Sequence, residues 1–152
     1  MSFWVPPRNT VGLDAVVSVE TRRVGALFGK LRGAGFAAAR HLLRKFLGGR
    51  LIEIPAGDTH LDLRLCRTRH DRSALSRAKP FEAEDYRLRI AVPEDLILFK
   101  LQAWRRQDQA DIERILKKRR DLDTRYIEAW LQPLADETGF PARERWDEIR
   151  GG

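Results

Sequence analysis

The sequence predicts a single α+β domain, and three features of it carry that expectation. Apolar residues alternate at period two in short segments between residues 11 and 91. Beyond residue 93 they recur at helical spacing instead. No internal repeat, low-complexity tract or linker divides the 152 residues. With 43% hydrophobic and 34% charged residues, the chain has the composition of a globular domain rather than of a disordered polypeptide.

The elements follow in order. Residues 11–19 read as a strand, with Leu13, Ala15, Val17 and Val19 on one face. Residues 22–34 space Val24, Leu27, Phe28 and Leu31 as a helix, which Gly33 and Gly35 stop. Residues 37–47 form either a second short helix or an irregular strand, ended by Gly48-Gly49. Residues 51–54 and 60–65 read as paired strands joined across Pro55-Ala56-Gly57-Asp58. In the second of them Leu61, Leu63 and Leu65 share one face, and Asp62 and Arg64 the other. A short helix is expected from His70 to Ala78, started at His70 or Asp71, and a further strand over 86–91. Pro93-Glu94-Asp95 opens a helix, with proline at its first position and acids where the helix dipole favours them. Helices at 109–118, at 124–137 with an interruption at Pro133, and from Pro141 to Ile149 complete the chain. The domain thus spans 1–152, with a core over about 6–92 and a helical part over about 93–150.

Charge and cysteine content narrow the function classes. Lys and Arg number 29 against 22 acids, for a net +7. Such a surface draws polyanions, nucleic acid or nucleotide phosphate foremost, although a solvated basic surface accounts equally well for the balance. Cys66 is the only cysteine, which excludes an intrachain disulfide and a thiolate metal cluster. His41, His60 and His70 lack metal-ligand spacing, so no zinc site is expected. No apolar run nears the roughly 20 residues of a membrane span. Met1–Arg8 does not read as a signal peptide, and a cytoplasmic protein without membrane contact is expected.

Three segments hold candidate chemistry. In a strand, residues 12 and 14 point to one side, and two carboxylates so placed hold divalent cations beside a triphosphate. Here Asp14 is acidic and position 12 is glycine. Asp62 stands on the polar side of its strand, where simple alternation on a half-exposed sheet is the plainer explanation. On a continuous helix Lys100, Trp104, Asp108 and Asp111 form one stripe, and a lysine in an apolar segment requires a partner. Asp108 as an N-cap with Asp111 three residues on is the structural alternative. Lys117-Lys118-Arg119-Arg120 reads first as a solvated helix end.

Taken in order, Pro7-Arg8-x-Thr10-x-x-Leu13-Asp14, His60-Leu61-Asp62-Leu63 and Pro93-Glu94-Asp95-Leu96-Ile97-Leu98-x-Lys100-Leu101-x-Ala103-x-Arg105-x-x-Asp108-x-x-Asp111-Ile112 resemble a known family. They are similar to the bacterial nucleotidyltransferases related to abortive-infection toxins, which include the toxins of type IV toxin–antitoxin systems and their stand-alone relatives. The resemblance covers residues 6 to 135, and its last segment is the most specific. It implies a polymerase-β-like core, a small mixed sheet flanked by helices, with Mg²⁺ held by carboxylates on neighbouring strands. It further implies transfer of a nucleotidyl group from a nucleoside triphosphate to a hydroxyl of RNA (a tRNA-like acceptor) or of protein. A cognate antitoxin is the implied partner.

By position, Asp14 and Asp62 match the family's second and third carboxylates, as metal ligands and catalytic residues. Lys100 matches the lysine that neutralises phosphate charge. Asp108 and Asp111 match the acids that follow it, and Arg8 and Thr10 the lead into the nucleotide site. Gly12 stands where the family has its first carboxylate, and no Gly-Gly or Gly-Ser pair occurs among residues 1–11. The expected protein is therefore an impaired nucleotidyltransferase. The alternatives are a catalytically inactive nucleotide- or RNA-binding module, or an interaction protein that holds a partner through its C-terminal helices.

Overall fold

In the computed structural model, residues 12–83 and 86–151 are described. Val11, Arg8 and Thr10 lie outside them. The chain divides after Arg67 into two compact units. Both strand and helix are present in quantity, so the α+β class holds.

The first unit contains β1 (Gly12–Val17), a 3-10 turn (Thr21–Arg23), α1 (Val24–Gly33), α2 (Arg40–Leu47), β2 (Ile52–Ala56) and β3 (Thr59–Leu65). The segment at 37–47 is thus a helix, not an irregular strand. The sheet order is β1-β3-β2, with β1 parallel and β2 antiparallel to the central β3. One face is apolar: Ile52, Ile54, Leu61 and Leu63 are buried against Val24, Phe28 and Phe46 of α1 and α2, with Ala15 and Val17 beside them. The Phe28 and Phe46 ring centroids are 5.8 Å apart. Leu13, expected on this covered face, is 67% exposed, because burial on β1 begins only at Ala15.

Pro55, expected in the turn, belongs to β2 and lies opposite His60. Its carbonyl accepts from the Ala37 N–H at 2.7 Å, so this position faces away from β3 and no ladder bond is lost to the proline nitrogen. The hairpin turn is tighter than expected, made by Gly57 at φ 59° and Asp58. Past the end of α2, Gly49 adopts φ 79°, and a side chain there would collide with the Arg67 guanidinium. That guanidinium donates to the Leu47 carbonyl at 2.8 Å, satisfying a terminal carbonyl and adding positive charge at the negative helix end.

The second unit runs through α3 (Arg69–Arg77), β4 (Lys79–Ala83), β5 (Tyr86–Ile90), α4 (Pro93–Ala103), α5 (Arg106–Lys118), α6 (Thr124–Thr138) and α7 (Ala142–Gly151). The expected strand at 86–91 is β5. Its partner is β4, an antiparallel neighbour that Pro80 and charged residues hide from alternation. α3 starts earlier than expected, capped by Thr68. The Thr68 hydroxyl accepts from Asp71 N–H and the Asp71 carboxylate accepts from Thr68 N–H, each at 2.9 Å.

Helices α4–α7 bury Ile97, Leu98, Leu101, Ile112, Ile115, Ile127, Leu131, Leu134 and Trp146 in one core. The expected break at Pro133 does not occur, and α6 runs through it. The proline forgoes one bond to the Ala129 carbonyl, while Leu131 and Leu134 on either side anchor the helix in the core. Among the described residues no helix is long and apolar enough to cross a membrane.

Candidate functional site

The face of the three-stranded sheet away from α1 and α2 is polar, and the strand register decides which of its residues meet. Gly12 pairs with His60 and Asp14 with Asp62 across β1 and β3, while Glu53 of β2 pairs with Asp62 from the other side. Asp14, Asp62 and Glu53 therefore form one row across three strands, which lie about 4.7–4.9 Å apart. The two aspartates share one sheet face, as expected. Asp14 and Glu53 are exposed, and Asp62 is partly buried.

His60 occupies the neighbouring row. A Cβ on residue 12 would lie 2.7 Å from both Cδ2 and Cε1 of the His60 ring and closer still to Nε2. The imidazole therefore fills the volume that a side chain at position 12 would take. Its Nε2 stands 3.9 Å from Asp62 Oδ1, beyond hydrogen-bonding distance. One donor atom from each of Glu53, His60 and Asp62 lies within 4.8 Å of the others. Linear spacing hides this grouping, because two of its members come from one strand and the third from its hairpin partner.

Three further expected site residues, Lys100, Asp108 and Asp111, lie in the second unit and make a closed ion cluster. α4 ends at Ala103, Trp104 takes φ 55°, and α5 begins at Arg106. The two helices are thus separate, as the expected helix at 109–118 required. Asp108 caps the second of them from its third position, accepting from the Arg105 N–H, rather than from the N-cap itself. Lys100 still meets both acids: its ammonium donates to Asp111 Oδ2 at 2.8 Å and to Asp108 Oδ1 at 3.2 Å. Asp108 Oδ2 also accepts from the Arg105 side chain at 2.8 Å and the Arg105 backbone N–H at 3.1 Å. Arg114 stands 3.5 Å from Asp111. Lys100, Asp108 and Asp111 are all buried. Burial opposes ionisation of Asp108, but the Arg105 hydrogen bond and the Lys100 charge outweigh it and hold the carboxyl below the ordinary range.

A second buried polar cluster in this unit was not legible in the sequence. Asp95, fully buried, accepts from Tyr126 Oη at 2.6 Å and Arg77 Nε at 3.1 Å, and pairs with His70 Nε2 at 3.0 Å. The His70 ring lies 4.8 Å from that of Phe99 and 5.4 Å from that of Trp130, between centroids. The Arg77 guanidinium covers the Tyr126 ring at 3.8 Å. Burial works against the Asp95 anion, yet the His70 and Tyr126 hydrogen bonds, with the charges around it, keep its pKa below the usual carboxylate value. Tyr126 is pushed up to about 12 by burial and by its bond to Asp95. The sequence offered only one sign of this cluster, an aspartate after Pro93-Glu94, which reads as an ordinary first-turn acid.

No protein-family model matches the chain, and neither does any curated protein.

Proposed function

We propose that this protein is nucleotidyltransferase-like, with a polymerase-β-like core in its first unit, and that the polar sheet face is its nucleotide site. The observation that carries this reading is the in-register pairing of Asp14 with Asp62 on adjacent parallel strands. Two carboxylates in one row suit a hard divalent cation that retains water and takes substrate phosphates as further ligands. Asp14 and Asp62 would hold Mg²⁺, and Glu53 in the same row adds a third anionic oxygen source. Bound there, Mg²⁺ would neutralise phosphate charge and align the triphosphate.

The chain's own contributions follow from its charges. Asp14 and Asp62 supply anionic oxygen, and Arg8 and Thr10 lead into the site by resemblance. Lys100 has its charge matched by two aspartates, so we assign it a positioning role, fastening α4 to α5. Gly12 contributes no ligand, which leaves transfer impaired. Loss of one preorganised charge-stabilising group costs about 3 kcal/mol in comparable sites. The acceptor in this reading is a hydroxyl of RNA, tRNA-like in kind, or of protein, and the cellular setting is the cytoplasm with a cognate antitoxin.

The test is nucleotide binding measured by calorimetry with Mg²⁺, alongside transfer of labelled nucleotide to RNA. Weak binding that disappears in Asp14→Asn and Asp62→Asn, with only trace transfer, is the expected outcome. Binding indifferent to both substitutions would remove the sheet face as the site.

A second reading, an RNA-binding module without catalysis, has one observation in its favour. Arg40, His41, Arg44 and Lys45 line a shallow hollow on α2, a helix that carries no acid. Replacing Arg40, Arg44 and Lys45 with alanine should then weaken RNA binding and flatten its salt dependence by about one counterion per lost phosphate contact. Asp14→Asn should leave that binding alone.

A further inference from the structure

We propose that Glu53, His60 and Asp62 form a mixed nitrogen–oxygen site for a first-row transition dication, and that Gly12 is the residue that admits the imidazole to it. The site shares Asp62 and Glu53 with the proposed nucleotide site, but it does not depend on nucleotidyl transfer.

Three observations converge. The donor atoms already lie within 4.8 Å of one another. Ligands of one ion held at about 2.0–2.2 Å stand roughly 3–4 Å apart, so small rotamer shifts close the gap. The donors sit on paired strands rather than on loops: His60 and Asp62 are two apart on β3, and Glu53 is the cross-strand partner of Asp62. Such a frame keeps them on one face without ordering any new backbone. Finally, the His60 ring rests where any side chain at position 12 would displace it. A glycine on a parallel strand, with a histidine ring laid over it, makes the space for a nitrogen ligand where a carboxylate would otherwise stand.

The donor chemistry then sets the metal. Imidazole suits zinc, cobalt, nickel and copper, whereas magnesium selects oxygen and holds its water tightly. One imidazole with two carboxylates favours the former group and leaves coordination positions open to water or a phosphate oxygen. The polar face that is a poor magnesium site for want of a carboxylate at position 12 becomes a better site for a softer ion.

Calorimetry on the metal-free full chain, without nucleotide, tests this with Co²⁺ and Mg²⁺ as probes, and visible absorption of bound Co²⁺ reports its ligand field. One equivalent of Co²⁺ should bind at least about tenfold tighter than Mg²⁺. His60→Ala and Gly12→Ala, which removes the ring by collision, should each weaken Co²⁺ about tenfold or more and alter the absorption bands. His41→Ala, at the exposed histidine of α2, should change neither. Should Gly12→Ala fail to fold by circular dichroism, His60→Gln decides in its place. Equal affinity for the two ions, or Co²⁺ binding that survives loss of His60, overturns the proposal. Co²⁺ binding at this site without any nucleotide binding would leave the proposal standing and defeat the nucleotidyltransferase reading. The reverse pattern would separate the two in the opposite sense.

Discussion

The two groups of carboxylates differ in how deeply they are buried. Asp108 and Asp111 are buried and answered at once by Lys100, Arg105 and Arg114 within their own helix pair. Asp14, Asp62 and Glu53 stand in a row of like charges on a sheet face, exposed or only partly covered. A buried ion cluster must be complete, because each missing partner leaves a charge stranded in a poor solvent. A carboxylate left in contact with water is under no such constraint, because solvent supports its charge. Burial thus ties the first arrangement to stability far more closely than the second.

Breaking the buried cluster should have the largest effect. Lys100→Met keeps the stem and removes the charge, leaving two aspartates facing each other, and should cost about 3–5 kcal/mol in denaturant unfolding. A loss below about 1 kcal/mol would show that Lys100 is not the keystone of the α4–α5 contact and would reopen a ligand role for it.

The Asp95 cluster should come next. Tyr126→Phe deletes the 2.6 Å hydrogen bond to a buried anion and should cost about 1.5–3 kcal/mol. It also carries a sign at alkaline pH. The folded protein holds the Tyr126 proton up to about 12, whereas an unfolded tyrosine releases it near 10. The stability so conferred is complete below pH 10 and declines as pH rises towards 12. Melting temperatures across that window should fall less steeply in Tyr126→Phe than in the parent chain.

At the acid end the sign reverses. Asp95 and Asp108 have folded pKa values below those of the unfolded chain, near 3.9. Their contribution is complete above that value and is lost as pH falls through the folded ones. Asp108→Asn should therefore flatten the acid limb of a stability–pH curve, and an unchanged limb would contradict the assignment.

The smallest effect belongs to the sheet face. Asp14→Asn should change stability by no more than about 0.5 kcal/mol, with any shift tending towards stabilisation as like-charge repulsion eases. A loss of 2 kcal/mol would make Asp14 a structural residue and erase the contrast between the two groups.

Much of this architecture was legible because it rests on local rules. Alternation on β1 and β3 placed Asp14 and Asp62 on strands, and Pro93-Glu94-Asp95 announced α4. Thr68-x-x-Asp71 carries the cap of α3 in plain view, though the helix start was expected one or two residues later. Segments where a neighbour outweighed a local tendency were harder. Pro133 reads as a break, yet a helix anchored in the core on both sides of it runs on. Pro55 reads as a turn, yet an edge strand whose carbonyl turns towards Ala37 absorbs it. β4 has too little periodicity to be seen without β5.

What the sequence by itself determined was the α+β class, most of the helices and strands, and the candidates Asp14, Asp62, Lys100, Asp108 and Asp111. Each of these depends on spacings of two to four residues, which backbone geometry converts directly into shared faces. Only tertiary structure decided what the candidates meet. The register of β3 between β1 and β2 brings Asp14, Asp62 and Glu53 into one row and lays His60 over Gly12. The fold of α4 against α5 gives Lys100 two carboxylates across a helix break, and the packing of α3, α4 and α6 brings His70, Tyr126 and Arg77 to Asp95. These contacts join residues that the chain separates, in the Asp14–Asp62 pair by a helical crossover. Their geometry follows from burial and pairing summed over each unit, and no short window of sequence contains that sum.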